Sequence, residues 1–225
     1  MRLSMAAELP TDPGTAIALQ DRLRELVDPT DPRPPDFRTV AGLDSAYDEG
    51  GNVVAAVVVL DAATLEPLDT ATARGTTSFP YIPGLLAFRE LPTTLAALEK
   101  LGTTPDLLVC DGQGIAHPRR FGLACHIGLL TGLPTFGVAK NLLGESDQPA
   151  PERGSVTDIT LDGEVVGRTV RTQTGIKPVY VSVGHRIDLD TACTAVLSLS
   201  PNHRQPETTR RADRLARALL RDGTP

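Results

Sequence analysis

Three acidic residues occupy positions where their side chains could meet and do chemistry together. Asp44 closes an apolar segment that begins at Thr39, and Asp111 closes a second one that begins at Asp106. Glu90 directly follows a proline-rich segment and falls in a predicted helix. Because ligand sites in α/β proteins form at the carboxyl ends of parallel strands, we expect the two aspartates at one edge of a sheet. Converging carboxylates without Cys or His companions favour Mg²⁺ or Mn²⁺, which can activate water and stabilise charge on a phosphate.

Each acid also has an ordinary structural explanation. A lone strand-end aspartate such as Asp44 can open a turn, and Asp111-Gly112 can be a tight turn between a strand and a helix. Glu90 by itself is most simply a solvated helix residue. The segments around the acids, and not the acids alone, decide between these explanations.

The elements predicted around the acids indicate a single α/β domain with a mixed central sheet flanked by helices. A helix should begin at Asp12-Pro13, because proline suits the first helical position. Glu49-Gly50-Gly51-Asn52 is a turn signal that should join two strands as a hairpin. Strands are expected at 39–44, 52–62, 69–77, 106–110, 134–140, 155–161, 164–170 and 179–183, and helices up to Glu90 and at 92–101, 121–130, 190–199 and 206–220. Strand, helix and strand alternate between 106 and 140, which predicts parallel pairing there.

Composition limits the class of protein. With 225 residues, 40% of them apolar, the chain can bury one sizeable core, so we expect one domain over 1–225 with 1–11 and 222–225 as flexible termini. Asp31 to Pro35 is typical of a stiff linker. Three cysteines without a C-x-x-C pair argue against a disulfide framework and for a reducing compartment. We see no signal peptide, and the longest apolar run, 53–60, is too short to cross a membrane, so a cytoplasmic protein is expected.

The charge distribution is uneven. The net charge of −6 would by itself argue against a nucleic-acid partner. Residues 168–221, however, hold 10 basic and 4 acidic side chains. Because nucleic acid responds to a local face and not to an average, this part predicts modest, salt-sensitive binding.

Several segments together resemble the endonuclease V family. The match extends from about Asp12 to about Leu219, and such a combination is far more specific than a lone Asp-Gly-x-Gly. The segments, in the family's order, are Ala41-Gly42-Leu43-Asp44, Pro80-Tyr81-Ile82-Pro83-Gly84-Leu85-Leu86-Ala87-Phe88-Arg89-Glu90, Asp111 to Arg120 with Gly122 to His126, Gly137-Val138-Ala139-Lys140, and Pro206 to Asp213.

The resemblance implies a ribonuclease-H-like fold and a DNA repair endonuclease for deaminated bases, chiefly deoxyinosine. It implies hydrolysis of the second phosphodiester bond 3′ to the lesion, leaving 3′-hydroxyl and 5′-phosphate ends. Mg²⁺ is the implied cofactor, with Mn²⁺ able to substitute. The implied partner is DNA that contains deaminated bases, and a monomer is sufficient for the site.

The resemblance also assigns roles to individual residues. Asp44, Glu90 and Asp111 match the metal-binding acids. Asp213 matches a fourth site position that is Asp or His in the family, and Lys140 matches a lysine near the cleaved phosphate. A second set surrounds the damaged base: a wedge formed by Tyr81 with Pro80, Ile82 and Pro83, and a base pocket lined by backbone groups at Gly84, Leu85 and Gly112.

These assignments have independent physical support. A deaminated base must leave the stack to be read, and a mispaired base costs less to turn out than a good pair. Tyr81 is stiffly presented between prolines, and glycines allow a close backbone approach to a base. One departure is Gln113, which stands where many members have His and puts the fine geometry of base reading in question.

Three other functions remain open from the sequence. Cleavage of inosine in RNA uses the same residues, so the sequence does not decide between DNA and RNA. A lesion-binding module that does not cut is disfavoured because a pure binder has no reason to keep costly converging acids. A ribonuclease-H or resolvase-like relative would share the acids but lack the Pro-Tyr-Ile-Pro segment.

Overall fold

The computed structural model describes residues 3–30, 37–77, 79–142 and 146–223. The linker predicted at Asp31 to Pro35 lies outside these ranges, as do the outermost two residues at each end. Near the amino end, Ser4 donates through its backbone N–H to the Leu130 carbonyl (2.7 Å) and through its hydroxyl to the Leu129 and Leu130 carbonyls.

The described residues form eight strands, five α-helices and a short 3₁₀ turn. The predicted first helix is confirmed, with Asp12 accepting from the Thr15 N–H as its N-cap and Pro13 in its first turn. The strands are β1 (Thr39–Tyr47), β2 (Asn52–Asp61), β3 (Pro67–Thr76), β4 (Leu107–Cys110), β5 (Thr135–Ala139), β6 (Val156–Leu161), β7 (Glu164–Val170) and β8 (Val179–His185). The helices are α1 (Pro13–Leu23, continued by the 3₁₀ turn Arg24–Leu26), α2 (Leu86–Glu99), α3 (Leu123–Thr131), α4 (Leu189–Ser198) and α5 (Glu207–Asp222).

The described strands make one mixed sheet in the order β3-β2-β1-β4-β5-β8-β7-β6. The predicted hairpin is confirmed as the antiparallel pair β1–β2, and the predicted parallel pairing within 106–140 is confirmed as the pair β4–β5. The structure adds a second parallel pair, β1–β4. The strands β5, β8, β7 and β6 continue the sheet in antiparallel pairs. The centre of the sheet is therefore parallel at β1, β4 and β5, where a site at the strand ends was expected.

The helices cover both faces of this sheet. Ala55, Val57 and Val59 of β2 belong to the core beneath α1, α2 and α3, whereas Val54, Ala56, Val58 and Leu60 belong to the core beneath α4 and α5. Successive strand residues point to opposite faces, so a strand between two helical layers has to be apolar at every position. This explains the unbroken apolar run that the sequence shows in β2.

Two predicted boundaries are wrong by more than the one or two residues by which others differ from the structure. β1 does not end at Asp44 but continues to Tyr47, because its antiparallel pairing with β2 extends that far, whereas its parallel pairing with β4 stops at Leu43. Pro92 does not separate two helices, since α2 runs through it from Leu86 to Glu99. Pro92 faces solvent, where freed carbonyl groups can be hydrated, and burial of the neighbouring apolar residues holds the helix together.

None of the helices in the described part of the chain has both the length and the apolar character needed to cross a bilayer.

Cys110, Cys125 and Cys193 are all buried free thiols. Burial raises the pKa of the Cys110 thiol well above its usual range, so Cys110 stays protonated and does not serve as a nucleophile.

His126 gives the fold a pH dependence that can be measured. Its ring is 1% exposed and packs edge-on against Phe88, and burial lowers its pKa to about 4. The unfolded chain therefore takes up a proton near pH 6.5 that the folded chain takes up only near pH 4. The stabilising effect of neutral His126 is complete above pH 6.5 and is lost as the pH falls toward 4, by about 2–3 kcal/mol at pH 4.5.

We expect the change in the free energy of unfolding between pH 7 and pH 4.5, measured with urea, to differ by that amount between the wild type and His126→Leu, with the less favourable change in the wild type. Asp44 and Glu90 also titrate over this range and act in the opposite direction, but they do so in both proteins. An equal change in both proteins would contradict the assignment to His126.

Candidate active site

Asp44 and Asp111 lie side by side at the end of the parallel pairing. Leu43 of β1 pairs with Cys110 of β4, and the Asp111 N–H donates to the Leu43 carbonyl at 3.2 Å. The next residue along each strand is therefore an aspartate, and the predicted proximity of the two acids is confirmed. Asp44 occupies this place from within a strand and Asp111 from a strand end.

Asp44 is held in an environment that opposes its charge. One carboxylate oxygen accepts from the Ser45 N–H at 2.7 Å, while Oδ2 is buried and has no hydrogen-bond partner among the described residues. Burial, together with repulsion from Asp111 and Glu90, raises the pKa of Asp44 to about 9. A buried oxygen of this kind is costly unless something positively charged pairs with it.

Glu90 completes the acidic group from the helical side. It lies in the first half of α2, is 7% exposed, and burial raises its pKa to about 8, although the nearby Tyr47 hydroxyl opposes this rise. Arg89 stacks over the Tyr47 ring at 5.2 Å and donates to the Phe79 carbonyl at 2.7 Å. These contacts fix the start of α2 against the end of β1. Glu90 is therefore a buried member of the cluster and not the solvated residue of the ordinary explanation.

Lys140 follows β5 and faces the two aspartates. Its Nζ forms an ion pair with Asp111 Oδ2, and its backbone carbonyl accepts from Arg204 Nη2 at 2.7 Å. Burial lowers the pKa of Lys140, but Asp111, Asp44 and Asp213 outweigh this and raise it overall. Lys140 is therefore a fixed positive charge at the edge of the acidic cluster.

Asp213 lies on α5 at the margin of this cluster. Its Oδ1 accepts from Arg217 Nε at 2.7 Å, and its side chain is 31% exposed. It interacts electrostatically with Lys140, whereas the three other acids lie deeper. The structure thus brings Asp213 to the site without placing it among the buried carboxylates.

The chemistry of this cluster fits a hard divalent cation. Asp44 Oδ2 is buried and unpartnered in the described structure, and burial, together with neighbouring negative charge, raises the pKa of both Asp44 and Glu90. Oxygen-only donors without Cys or His select Mg²⁺ or Mn²⁺ over softer metals. Within the described ranges, no three His, Cys, Asp or Glu side chains are grouped closely enough to hold an ion as they stand. The fit therefore rests on donor type and on an environment in which these acids resist ionisation unless a cation is present.

A cavity of about 300 Å³ opens beside the acids. Its lining includes the predicted wedge residues Tyr81, Ile82 and Pro83 as well as Asp111 and Lys140. Gly84, Gly112 and Gln113 also line it, together with Gln20, Leu86, Ala87, His117, Gly122, Leu123, Ala139 and Asn141.

The wedge and pocket residues differ in exposure. The Tyr81 ring is 71% exposed and Pro80 and Pro83 are exposed beside it, so the ring projects from a stiff loop. The side chain of Leu85 is 1% exposed, belongs to the core beneath α1, α2 and α3, and does not line the cavity. The structure therefore brings Gly84 and Gly112 to the cavity but not the side chain of Leu85.

Much of the positive charge in residues 168–221 is engaged inside the protein. Arg204 donates to the backbone carbonyls of Lys140 and Pro178, and Glu207 accepts from two arginines of α5. Further examples are Arg168 with Asp158 and Asp190, Arg171 with three backbone carbonyls, and Arg217 with Asp213. The charge count thus overstates the positive charge that is free to meet a ligand.

Three residues at the site were missed in the sequence: Tyr47 beside Glu90, Arg204 beneath Lys140, and Gln20 in the cavity wall. Only Gln20 carried a usable signal. It lies one position after Leu19 and three before Leu23 on the apolar stripe of α1, so its burial follows from helical spacing.

A mixed sheet covered by helices on both faces, with carboxylates where its central parallel pairing ends, is a ribonuclease-H-like fold, and the class of protein is a nuclease. The endonuclease V family model matches residues 21–214. The chain is 64% identical to endonuclease V of Nocardia farcinica over 217 residues, which is 96% of each chain.

Solved structures agree with this relationship. The crystal structure of endonuclease V from Streptomyces avermitilis matches with a TM-score of 0.92 at 54% identity, covering 100% of both chains. Endonuclease V of Ciona intestinalis, in complex with a 24mer DNA containing an inosine followed by a ribo-adenosine, matches with a TM-score of 0.82 at 28% identity, covering 93% of this chain and 98% of that one. The chain belongs to the endonuclease V family.

Proposed function

We propose that this protein is a DNA repair endonuclease that recognises deaminated bases, chiefly deoxyinosine. It hydrolyses the second phosphodiester bond 3′ to the lesion and leaves 3′-hydroxyl and 5′-phosphate ends. The observation that carries the proposal is the shared cavity, which is lined both by the exposed Tyr81 loop and by Asp111 and Lys140. A base turned out past the wedge would therefore enter a space that adjoins the acidic cluster.

Each part of the site has a task in this reaction. Tyr81 enters the duplex and fills the gap that the extruded base leaves, and the cavity at Gly84 and Gly112 receives that base. Lys140 offers its ammonium group to the phosphate, for which a compact point charge is well suited.

Asp44, Glu90 and Asp111 would hold Mg²⁺, with Mn²⁺ as a substitute. When bound, the ion activates water and offsets the charge that develops on the phosphate. Asp213, held by Arg217, lies at the margin, where it can orient water or complete the ligand set. The relief of repulsion among the buried acids is the physical reason for expecting cation binding here.

The decisive experiment is incision of a labelled duplex that contains one deoxyinosine. We expect a single nick 3′ to the lesion with Mg²⁺, no nick with excess EDTA, and no nick in the unmodified duplex. Tyr81→Ala should slow incision about 10- to 100-fold, since base–aromatic contacts contribute about 1–3 kcal/mol, whereas Tyr81→Phe should retain most of the rate. Failure to nick the inosine strand at any Mg²⁺ concentration would refute the proposal, and a matched inosine-containing RNA tests whether RNA is cut as well.

A further inference from the structure

Gln20 is a buried amide that connects the first helix to the cavity. It lies on α1 and is 1% exposed, in a position that the helical spacing would give to an apolar residue. A buried amide costs free energy unless its donors and acceptor are paired, so its partners reveal its role.

Both the nitrogen and the oxygen of the Gln20 amide are hydrogen-bonded, and their three partners lie in two different loops. Its Nε2 donates to the Gly84 carbonyl at 3.1 Å and to the Phe121 carbonyl at 3.0 Å. Its Oε1 accepts from Arg119 Nε at 2.6 Å. Gln20 therefore joins the wedge loop to the loop that follows Asp111.

The Gly84 carbonyl is the point where these contacts meet. In addition to Gln20, it accepts from Arg119 Nη2 at 2.8 Å and from His117 Nε2 at 2.9 Å. His117 Nδ1 accepts from the Arg119 N–H at 3.2 Å, so the neutral ring donates through Nε2, and burial keeps it neutral by lowering its pKa to about 4. A single carbonyl with three donors is held in one orientation.

Gly84 cannot be replaced by a residue with a side chain without strain. Its φ of +81° is in the left-handed region, and a Cβ there would lie 2.8 Å from Arg119 Nη2 and 3.3 Å from His117 Nε2. The exposed Tyr81 ring is three residues away on the same loop. Fixing Gly84 therefore fixes both the cavity wall and the base of the wedge.

We propose that Gln20 is a positioning residue for lesion recognition. Through the Gly84 carbonyl, and together with Arg119 and His117, it holds the wedge at a set distance from the pocket that receives the extruded base. Loss of the Gln20 amide leaves the acidic cluster intact but loosens the wall of the pocket that receives the base. Discrimination between damaged and normal DNA therefore falls. This inference rests on the proposed function, because it assigns a cause to the lesion specificity of that same site.

The test measures binding in EDTA, where no strand is cut. The probes are a duplex with one deoxyinosine next to 2-aminopurine and the matched unmodified duplex. For Gln20→Met, which keeps length and volume but removes the hydrogen bonds, we expect the ratio of the two Kd values to fall about 10- to 100-fold, and the 2-aminopurine signal of base extrusion to weaken. Gln20→Glu retains the acceptor for Arg119 but not the donors, and should show the same loss if Gln20→Met is poorly folded.

Gln173→Met is the matched control, since Gln173 also donates to two backbone carbonyls, those of Ser200 and His203. It should keep the wild-type Kd ratio. If the wild type distinguishes the duplexes and both Gln20 variants do so equally well, or if binding of both duplexes weakens by the same factor, the positioning role is refuted. If the wild type does not distinguish the duplexes, it is the proposed function that fails, and the inference falls with it.

Discussion

Asp44→Asn should reduce the incision rate of an inosine-containing duplex at least about 10³-fold while leaving the protein as stable as the wild type or more stable. The rate falls because an amide is a poorer cation ligand than a carboxylate and carries no charge to balance the ion. Lesion binding, which depends on the Tyr81 loop and the cavity, should persist.

The expected change in stability does not follow the loss of activity. Burial and the neighbouring acids raise the pKa of Asp44 to about 9, so the folded state holds a proton there that the unfolded chain releases near pH 4. As the pH rises above 4, ionisation of Asp44 in the unfolded chain increasingly favours the unfolded state over the folded state. Asp44 therefore destabilises the fold at neutral pH when no cation is bound. Removal of the charge in EDTA therefore raises or preserves the free energy of unfolding, as is typical of a residue kept for function at the expense of stability.

A cation readout separates this explanation from a simple loss of activity. Mg²⁺ should raise the unfolding midpoint of the wild type, because it binds the folded state only, and should raise that of Asp44→Asn much less. Activity close to that of the wild type, or a large loss of stability in EDTA, would remove Asp44 from the proposed cation site.

Asp61→Asn is the control. Asp61 is the last residue of β2, at the end of the β1–β2 hairpin that is farthest from its turn. It accepts hydrogen bonds from the Ala63 and Thr64 N–H groups. Here hydrogen bonds, chiefly with Thr64, lower the pKa. The substitution should cost about 1 kcal/mol of stability and leave incision unchanged, the reverse of the result at Asp44.

Gly42→Ala should destabilise the protein by at least about 3 kcal/mol or prevent folding. A Cβ at Gly42 would overlap the main chain of Thr208 and Thr209, which are buried in the first turn of α5. A flexible side chain could move aside, but the backbone of a helix packed across β1 and β2 cannot do so without shifting the whole element. Because α5 carries Asp213, any such shift also moves that carboxylate relative to Asp44.

Urea unfolding measures the effect, with Gly102→Ala as the control. A Cβ at Gly102 would have only an ordinary contact, 3.5 Å from Asp69 Oδ2, so a change within about 0.5 kcal/mol is expected. Equal effects of the two substitutions would contradict the close packing of α5 on β1. Incision by Gly42→Ala, measured where the variant is still folded, should also fall.

Local patterns in the sequence determined most of the elements. Asp12-Pro13 defined the start of α1, Glu49-Gly50-Gly51-Asn52 predicted the β1–β2 hairpin that the structure contains, and the unbroken apolar run of β2 agrees with helices on both faces of the sheet. The acids that meet, Asp44, Glu90 and Asp111, could also be named in advance, because their motifs resemble those of a family to which the chain belongs. Each of these signals lies in a short segment of the chain, including the separate motif around each acid.

The tertiary structure decided what depends on neighbours distant in the chain. Whether β1 ends at Asp44 depends on how far β2 pairs with it, and whether Pro92 interrupts α2 depends on the burial of the helix around it. The three donors on the Gly84 carbonyl come from residues 64, 33 and 35 positions away. The helical spacing of α1 is consistent with a buried Gln20, but only the packed fold brings these donors together. Hydrogen bonds between segments that are distant in the chain form only once the chain has folded back on itself.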